Sequence, residues 1–301
     1  MQMMKRNLKI LLLAVFVAAA SCSFTTKSFD DPDKDKLLID LITYVLEKGH
    51  YNPKDMDDTF SEGVYEDFIE ALDPLKRYFL ASDIESFEVY RTEIDDQLKA
   101  KDLTFFNLVF ETYQKRMEDA KGFYKQVLET PFDYNANESI NVDYDELAYA
   151  ASKNELKERW RQQLKFSTIG NYYDLVEEND TKTKEEEGYE RKSDASLEEK
   201  ARTTTRNSLD EYFDFTDDLE RKDYFAIFLN NIVEEFDPHT NYLAPPDRDR
   251  FDLRMSGKLE GIGARLQKNN DNIKVVEVIS GGPAWRGEHI EVGDIITKVK
   301  Q

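Results

Sequence analysis

The residues best suited to chemistry lie near the end of the 301-residue chain. Leu259-Glu260-Gly261-Ile262-Gly263-Ala264 reads as a glycine-flanked turn leading into a strand. Successive backbone N–H groups in such a turn form a concave nest that can hold a carboxylate. Glycine is needed where a side chain would block the approach of that group. A strand leaving the turn with a free edge can accept an extended peptide as an added strand. Leu259, Gly261, Ile262, Gly263 and Ala264 are therefore the candidate peptide-binding residues. Taken alone, a Gly-x-Gly is more often an ordinary turn.

Other chemistries find less support. Ser256 and Lys258 are two apart and would share a face of a strand, but only their position suggests a dyad. His239 follows Asp237-Pro238 without a serine or cysteine context, which makes it a turn residue that hydrogen-bonds locally. His50 and His289 show no metal-ligand spacing with carboxylates. The acids between Glu177 and Lys200 do not follow the spacing of a calcium loop. The one cysteine, Cys22, excludes a disulfide framework and a cysteine-based metal site. No cofactor and no metal are expected.

Positioning the glycine turn requires elements on both sides of it. After it, Asn269 to Asn272 is a turn, Ile273 to Ile279 is β-branched and strand-like, Gly281-Gly282-Pro283-Ala284 turns into a short helix, and Ile295 to Val299 is another strand. Before it, the periodicity is helical. Leu38, Leu41, Ile42 and Val45 mark one face of a first helix, and Asn52-Pro53 breaks it. A second helix is predicted from Asp55 to about Ala71. Ser82 with Glu85 reads as a capping box that opens a third helix through Ile84, Phe87 and Ile94. Asp102 can cap a fourth, long helix, where Phe106, Val109, Phe110, Tyr113, Met117, Ala120, Tyr124 and Val127 keep helical spacing. Leu156, Trp160 and Leu164 suggest another helix, and Ala226, Leu229, Asn230 and Val233 the last. These aromatic stripes are most simply a core. Glu177 to Lys200 has too few apolar groups to bury and reads as a solvated loop or frayed helix extension. Asp73-Pro74, Tyr78, Asp83 and Phe87 recur at identical offsets as Asp237-Pro238, Tyr242, Asp247 and Phe251. Two similar helix exits explain the echo, and a paired surface is the alternative.

The charge is uneven. The chain carries 41 basic and 62 acidic residues, a net −21. From Asp252 onward there are eight basic residues against seven acidic ones, so all the excess acid lies in front. Phosphate backbones would be repelled, which excludes nucleic acid as a partner. A composition break near residue 250 suggests a domain boundary.

At the front, Lys5, Arg6 and Lys9 precede an apolar run from Ile10 to Ala20. The run is too short for a bilayer span, which needs about 20 residues, and has the length of a signal-peptide core. Cys22 behind it resembles the lipobox cysteine of bacterial lipoproteins, which is diacylated and becomes the new N-terminus. Ala19 departs from that pattern, where leucine is commoner. Ser23 after the cysteine, instead of aspartate, favours the outer membrane. Residues 23–33 look like a short tether.

The back segment resembles a PDZ domain of the bacterial protease type. The matching pieces are Leu259-Glu260-Gly261-Ile262-Gly263, Val278-Ile279-Ser280-Gly281-Gly282-Pro283-Ala284 and Val292-Gly293-Asp294-Ile295-Ile296. Just ahead, Phe236-Asp237-Pro238-His239-Thr240-Asn241-Tyr242-Leu243 is similar to the segment that enters this domain in the tail-specific, or carboxy-terminal processing, serine proteases. Ala71-Leu72-Asp73-Pro74 and Tyr78-Phe79-Leu80 look like the helical front domain of the larger members. The resemblance implies a helical domain, then a PDZ that binds substrate C-termini, then a catalytic domain with a serine nucleophile and a lysine base held neutral to accept its proton.

The expected fold is thus a mainly α N-terminal domain followed by a small, incomplete β-rich PDZ domain. The expected boundaries are a signal peptide to residue 21, a lipidated tether over 22–33, a helical domain over 34–235, a connector over 236–258 and a partial PDZ over 259–301. The sequence stops at Gln301, before the family's second groove wall and before its Ser-Ala-Ser-Ala and Phe-Gly-Lys-Gly type segments. No residue is therefore given a catalytic role. The leading expectation is the front portion of a periplasmic tail-specific serine endopeptidase that recognises substrate C-termini. The alternative is a non-catalytic peptide-binding or adaptor lipoprotein. Expected partners are the C-terminal segments of substrate proteins, the membrane through a lipid anchor at Cys22, and an adaptor lipoprotein.

Overall fold

Two kinds of hydrophobic pattern build this molecule, and they occupy separate stretches of chain. The structure, a computed structural model, describes residues 32–185, 188–256, 261–269, 272–287 and 289–298. Cys22, the signal segment, Leu259 and Lys258 lie outside the described residues.

From Pro32 to Glu234 the described chain is helical: α1 (Pro32–Lys48), α2 (Asp58–Leu72), α3 (Ala81–Phe87), α4 (Ile94–Ala100), α5 (Thr104–Val127), α6 (Lys153–Glu185), α7 (Asp194–Asp217) and α8 (Arg221–Glu234). Proline suits the first turn of α1 because the N–H it lacks would have no helical partner there. Asp57 caps α2 by accepting the Phe60 N–H at 3.1 Å. Every third or fourth residue of α2 (Phe60, Val64, Phe68 and Leu72 among them) then enters the core. The aromatic stripe of α5 does the same through Phe106, Val109, Tyr113, Met117, Ala120 and Tyr124, all buried. Phe68 on α2 meets Phe105 and Phe106 on α5 and Phe228 on α8 at centroid distances of 5.0–6.1 Å. Tilted and edge-on aromatic pairs of this kind add about 0.5–1.5 kcal/mol each beyond their burial. Trp160 on α6 is fully buried, and its ring N–H donates to the Arg77 carbonyl at 2.7 Å. The aromatic stripes are thus the core that their spacing implied.

The helix starting at Asp58 begins three residues later than expected, and the cap of α3 also departs from expectation. Ser82 and Glu85 do not cap α3. Asp83 accepts the Leu80 N–H at 2.8 Å and is clasped by Arg116 through two bonds of 2.7 and 2.8 Å. With that buried ion pair the N-cap falls at Leu80, two residues before the serine. The expected third helix also divides, into α3, a 3₁₀ turn over Glu88–Tyr90 and α4.

Two helices went unread. α7 buries Leu197, Glu198, Ala201, Thr205 and Phe213, a face so polar and small that its period is faint. Much of the charged stretch 177–200 is helical, since α6 continues to Glu185 and α7 starts at Asp194. The second is α9 (Pro245–Ser256), a charged helix within the expected connector. Ser256 is the last residue of that helix, and Lys258 lies outside the described residues.

Beyond α9 the period changes from helical to alternating. β1 (Ala264–Asn269), β2 (Asn272–Val278) and β3 (Ile295–Ile296) form an antiparallel sheet in that order, with α10 (Pro283–Gly287) between β2 and β3. Ala264 pairs with Val278, Ile273 with Ile296, and a bulge falls between Arg265 and Leu266. Val275 of β2 and Ala284 of α10 are buried. A mainly helical front and a small β-rich back are the fold class the sequence implied.

Candidate peptide-binding site

Among the described residues, the glycine turn is held from the side of β2 and α10. The Ala284 N–H donates to the Ile262 carbonyl, and the Ile279 N–H to the Gly263 carbonyl, both at 2.8 Å. In a trans peptide the C=O and the following N–H point in opposite directions. The Gly263 and Ala264 N–H groups are therefore directed away from β2 and α10. They face the side of β1 on which no strand pairs among the described residues. Two adjacent outward N–H groups beside an open strand edge provide donors for a carboxylate and a ladder for the peptide behind it.

Gly263 is what allows this arrangement. Its φ is +75°, where side chains are strained. A Cβ there would also lie 2.9 Å from Pro283 Cδ and 3.0 Å from Gly282 Cα. Gly261 differs, since a Cβ there meets nothing within 4 Å. Ile262 is 49 % exposed and Leu266 42 %, which leaves apolar side chains flanking the turn and on β1. Arg265 pairs with Glu277 across β1 and β2 at 3.1 Å, in solvent, where such pairs contribute little.

The structure thus brings Gly261, Ile262, Gly263 and Ala264 together at the head of β1, while Leu259 lies outside the described residues. Sequence reasoning missed the anchoring role of Gly282, Pro283 and Ala284. Their signal was the small-residue run Gly281-Gly282-Pro283-Ala284, which reads as a turn until its contact with Gly263 is seen.

The site is tied to the helical front through the segment after α8. Phe236 is buried against Phe60, with ring centroids 5.6 Å apart. Lys54 donates to the Glu235 carbonyl at 2.7 Å. Asp237 accepts from the N–H and the ring of His239, and that histidine holds the Asp237 carboxyl below the usual carboxylate range. His239 is therefore a local turn partner. His50 bonds to Asn52 and to Thr240. Among the described residues no group of three or more His, Cys, Asp or Glu side chains is arranged to hold a metal ion. None of the described helices is long and apolar enough to cross a membrane.

The glycine turn at the head of a small antiparallel sheet belongs to a stretch that a PDZ family model matches, over residues 251–301. A second model, the tail-specific protease N-terminal domain, matches residues 42–246. The chain belongs to the tail-specific protease family. A tail-specific protease from Haemophilus influenzae is 28 % identical over 270 residues, covering 89 % of this chain and 36 % of the relative. Probable CtpA-like serine proteases from Staphylococcus aureus strains RF122 and COL are 40 % identical over 72 residues, 24 % of this chain and 14 % of theirs. The chain thus spans about a third of the length of the Haemophilus relative and less of the others.

Proposed function

We propose that these residues form the N-terminal portion of a periplasmic tail-specific serine endopeptidase, whose PDZ selects substrate proteins by their C-termini. The helical module is the platform and the glycine turn the reader of the terminal carboxylate. The single observation that carries this reading is the pair of outward N–H groups of Gly263 and Ala264 beside the open edge of β1. Charge supports it as well. The acidic front of the chain would repel a carboxylate, whereas the segment bearing the turn has eight basic residues against seven acidic ones. Substrate termini with an apolar last residue fit best, because Ile262 and Leu266 are exposed large apolar side chains at the turn and strand.

Cleavage is proposed for residues beyond those in hand, through a serine activated by a lysine. The export signal and Cys22 support a lipid-anchored location in the bacterial envelope, facing the periplasm, with the outer membrane favoured by Ser23. Reading the coding sequence past Gln301 tests the enzymatic part. Serine and lysine segments of the family's type are expected in the next few hundred codons. Their absence would leave a non-catalytic peptide-binding or adaptor lipoprotein as the better reading.

A further inference from the structure

The first helix is apolar on two faces. Ile39 and Leu46 of α1 are buried in the core, and Leu38 and Ile42 pack against it. The other face is open to solvent: Leu37, Leu41, Tyr44 and Val45 are 66 %, 57 %, 65 % and 50 % exposed. Their i, i+4, i+7, i+8 spacing puts them on one side of the helix. A helix that is apolar on opposite sides is ordinarily covered on both.

The chain ahead of α1 says what covers the outer side. Pro32 follows Cys22 by ten residues. Fully extended, ten residues reach at most about 33–36 Å, and a 17-residue helix is about 25 Å long. With Cys22 acylated in a bilayer, this tether keeps α1 at the membrane and is long enough for the helix to lie flat on it. A short tether also makes the contact intramolecular, at an effective concentration of the order of millimolar. A partition too weak to hold a free helix is then sufficient.

The composition of the outer face fits a headgroup boundary. Tyr44 combines an apolar ring with a polar hydroxyl, the type of side chain enriched at that depth. Lys34 lies three residues before Leu37 and Lys48 four after Tyr44, so a lysine stands at each end of the patch. Lysine stems can lie along apolar surface while their ammonium groups stay in water. The acids of α1 fall elsewhere or are engaged. Asp33 is in the first turn, where the helix dipole favours it. Asp40 pairs with Lys101 at 2.9 Å, and Glu47 lies 3.8 Å from Lys48.

We propose that the outer face of α1, formed by Leu37, Leu41, Tyr44 and Val45, docks on the phospholipid surface in which Cys22 is anchored. The proposal rests on the reading of Cys22 as an acylated anchor and adds an orientation to it. The helical front sits against the bilayer instead of swinging at the end of its tether.

The lipidated full chain in vesicles of phosphatidylethanolamine and phosphatidylglycerol tests this. Cys22 is the single cysteine, so after acylation an introduced cysteine is the one free thiol for a bimane label. Leu41→Cys places the label on the outer face, and Lys36→Cys places it on α1 away from that face. Brominated phospholipids are expected to quench the first at least about twice as strongly as the second, because a docked apolar face sits about 5–10 Å into the headgroup boundary. In the Leu37→Glu, Leu41→Glu variant, a label at Tyr44→Cys is expected to lose that quenching while the chain still floats with the vesicles. Both leucines are exposed, so its melting temperature in detergent is expected to match that of the parent. A chain that floats while the Leu41 and Lys36 labels are quenched alike, or neither is quenched, overturns the docking and leaves the anchor standing. So does a Leu41 label shielded from water but untouched by bromine, which would put a protein on this face. A chain that does not float overturns the anchor and the docking together.

Discussion

Gly263 meets two demands at once, a positive φ and a backbone contact with Gly282. Gly263→Ala is therefore expected to destabilise the β-rich module by about 1–3 kcal/mol. It should also loosen the turn, because Pro283 must shift to admit the methyl group. Gly261→Ala, with open space around it, is expected to leave stability within about 0.5 kcal/mol. Chemical denaturation followed by tryptophan emission from Trp285 on α10 would separate the two. A second residue, Asp73, does comparable work in the helical front. Its buried carboxylate accepts the backbone N–H groups of Arg77, Tyr78 and Phe79 at 2.7–2.9 Å. Burial pushes that carboxyl up, and the three N–H donors oppose the shift. Asp73→Ala orphans all three and is expected to cost about 3 kcal/mol or more, with Asp73→Asn milder because one carbonyl acceptor remains. Thermal unfolding of the two variants checks the order. The sequence showed Asp73-Pro74 and Asp237-Pro238 as equals, but burial separates them. Tyr78 and Phe87 are core residues in the first copy, whereas Phe251 in the second is exposed. Offsets in sequence record the shared helix exit and carry no information about depth.

Elements were legible where one face is strongly apolar. α2, α5 and α8 announce themselves through Phe, Tyr, Leu and Val at helical spacing, and β2 through its β-branched run. α7 did not, because its buried face relies on Ala201, Thr205 and Glu198, whose types do not signal burial. Tertiary contacts hold that face: Thr205 shares a 2.9 Å hydrogen bond with Thr168 of α6, and Glu198 bonds to the Phe132 N–H and to Arg202. The long loop between α5 and α6 is similarly held by polar contacts that no period reveals. Glu138 accepts from Arg161 and Lys165 of α6, and these partners lower its carboxyl from 4.5 to about 2. A carboxyl lowered by folding stabilises the docked loop above its unfolded value, and that contribution disappears as pH falls. The loop around Glu138 is expected to stay docked down to pH 4.5 and to release as pH approaches 2. Amide exchange across residues 133–140 as a function of pH would show the transition. Glu138→Gln should remove the dependence.

At the scale of the whole molecule, the division into a helical front and a small sheet behind it was plain from the change of period and charge near residue 250. The glycine turn was legible as well, since Gly261, Ile262 and Gly263 lead directly into β1 at Ala264. What the sequence could not show was the direction of the turn's N–H groups, which depends on Ile279 and Ala284 taking the carbonyls on the other side. That direction is the basis of the proposed function: the module reads a free carboxyl terminus. Calorimetric titration of the chain with one apolar-ended peptide, as the free acid and as the C-terminal amide, tests it most directly. Losing a charge-assisted contact to two N–H groups is expected to weaken the amide by about tenfold or more. Equal affinity of the acid and the amide would contradict a carboxylate-reading turn.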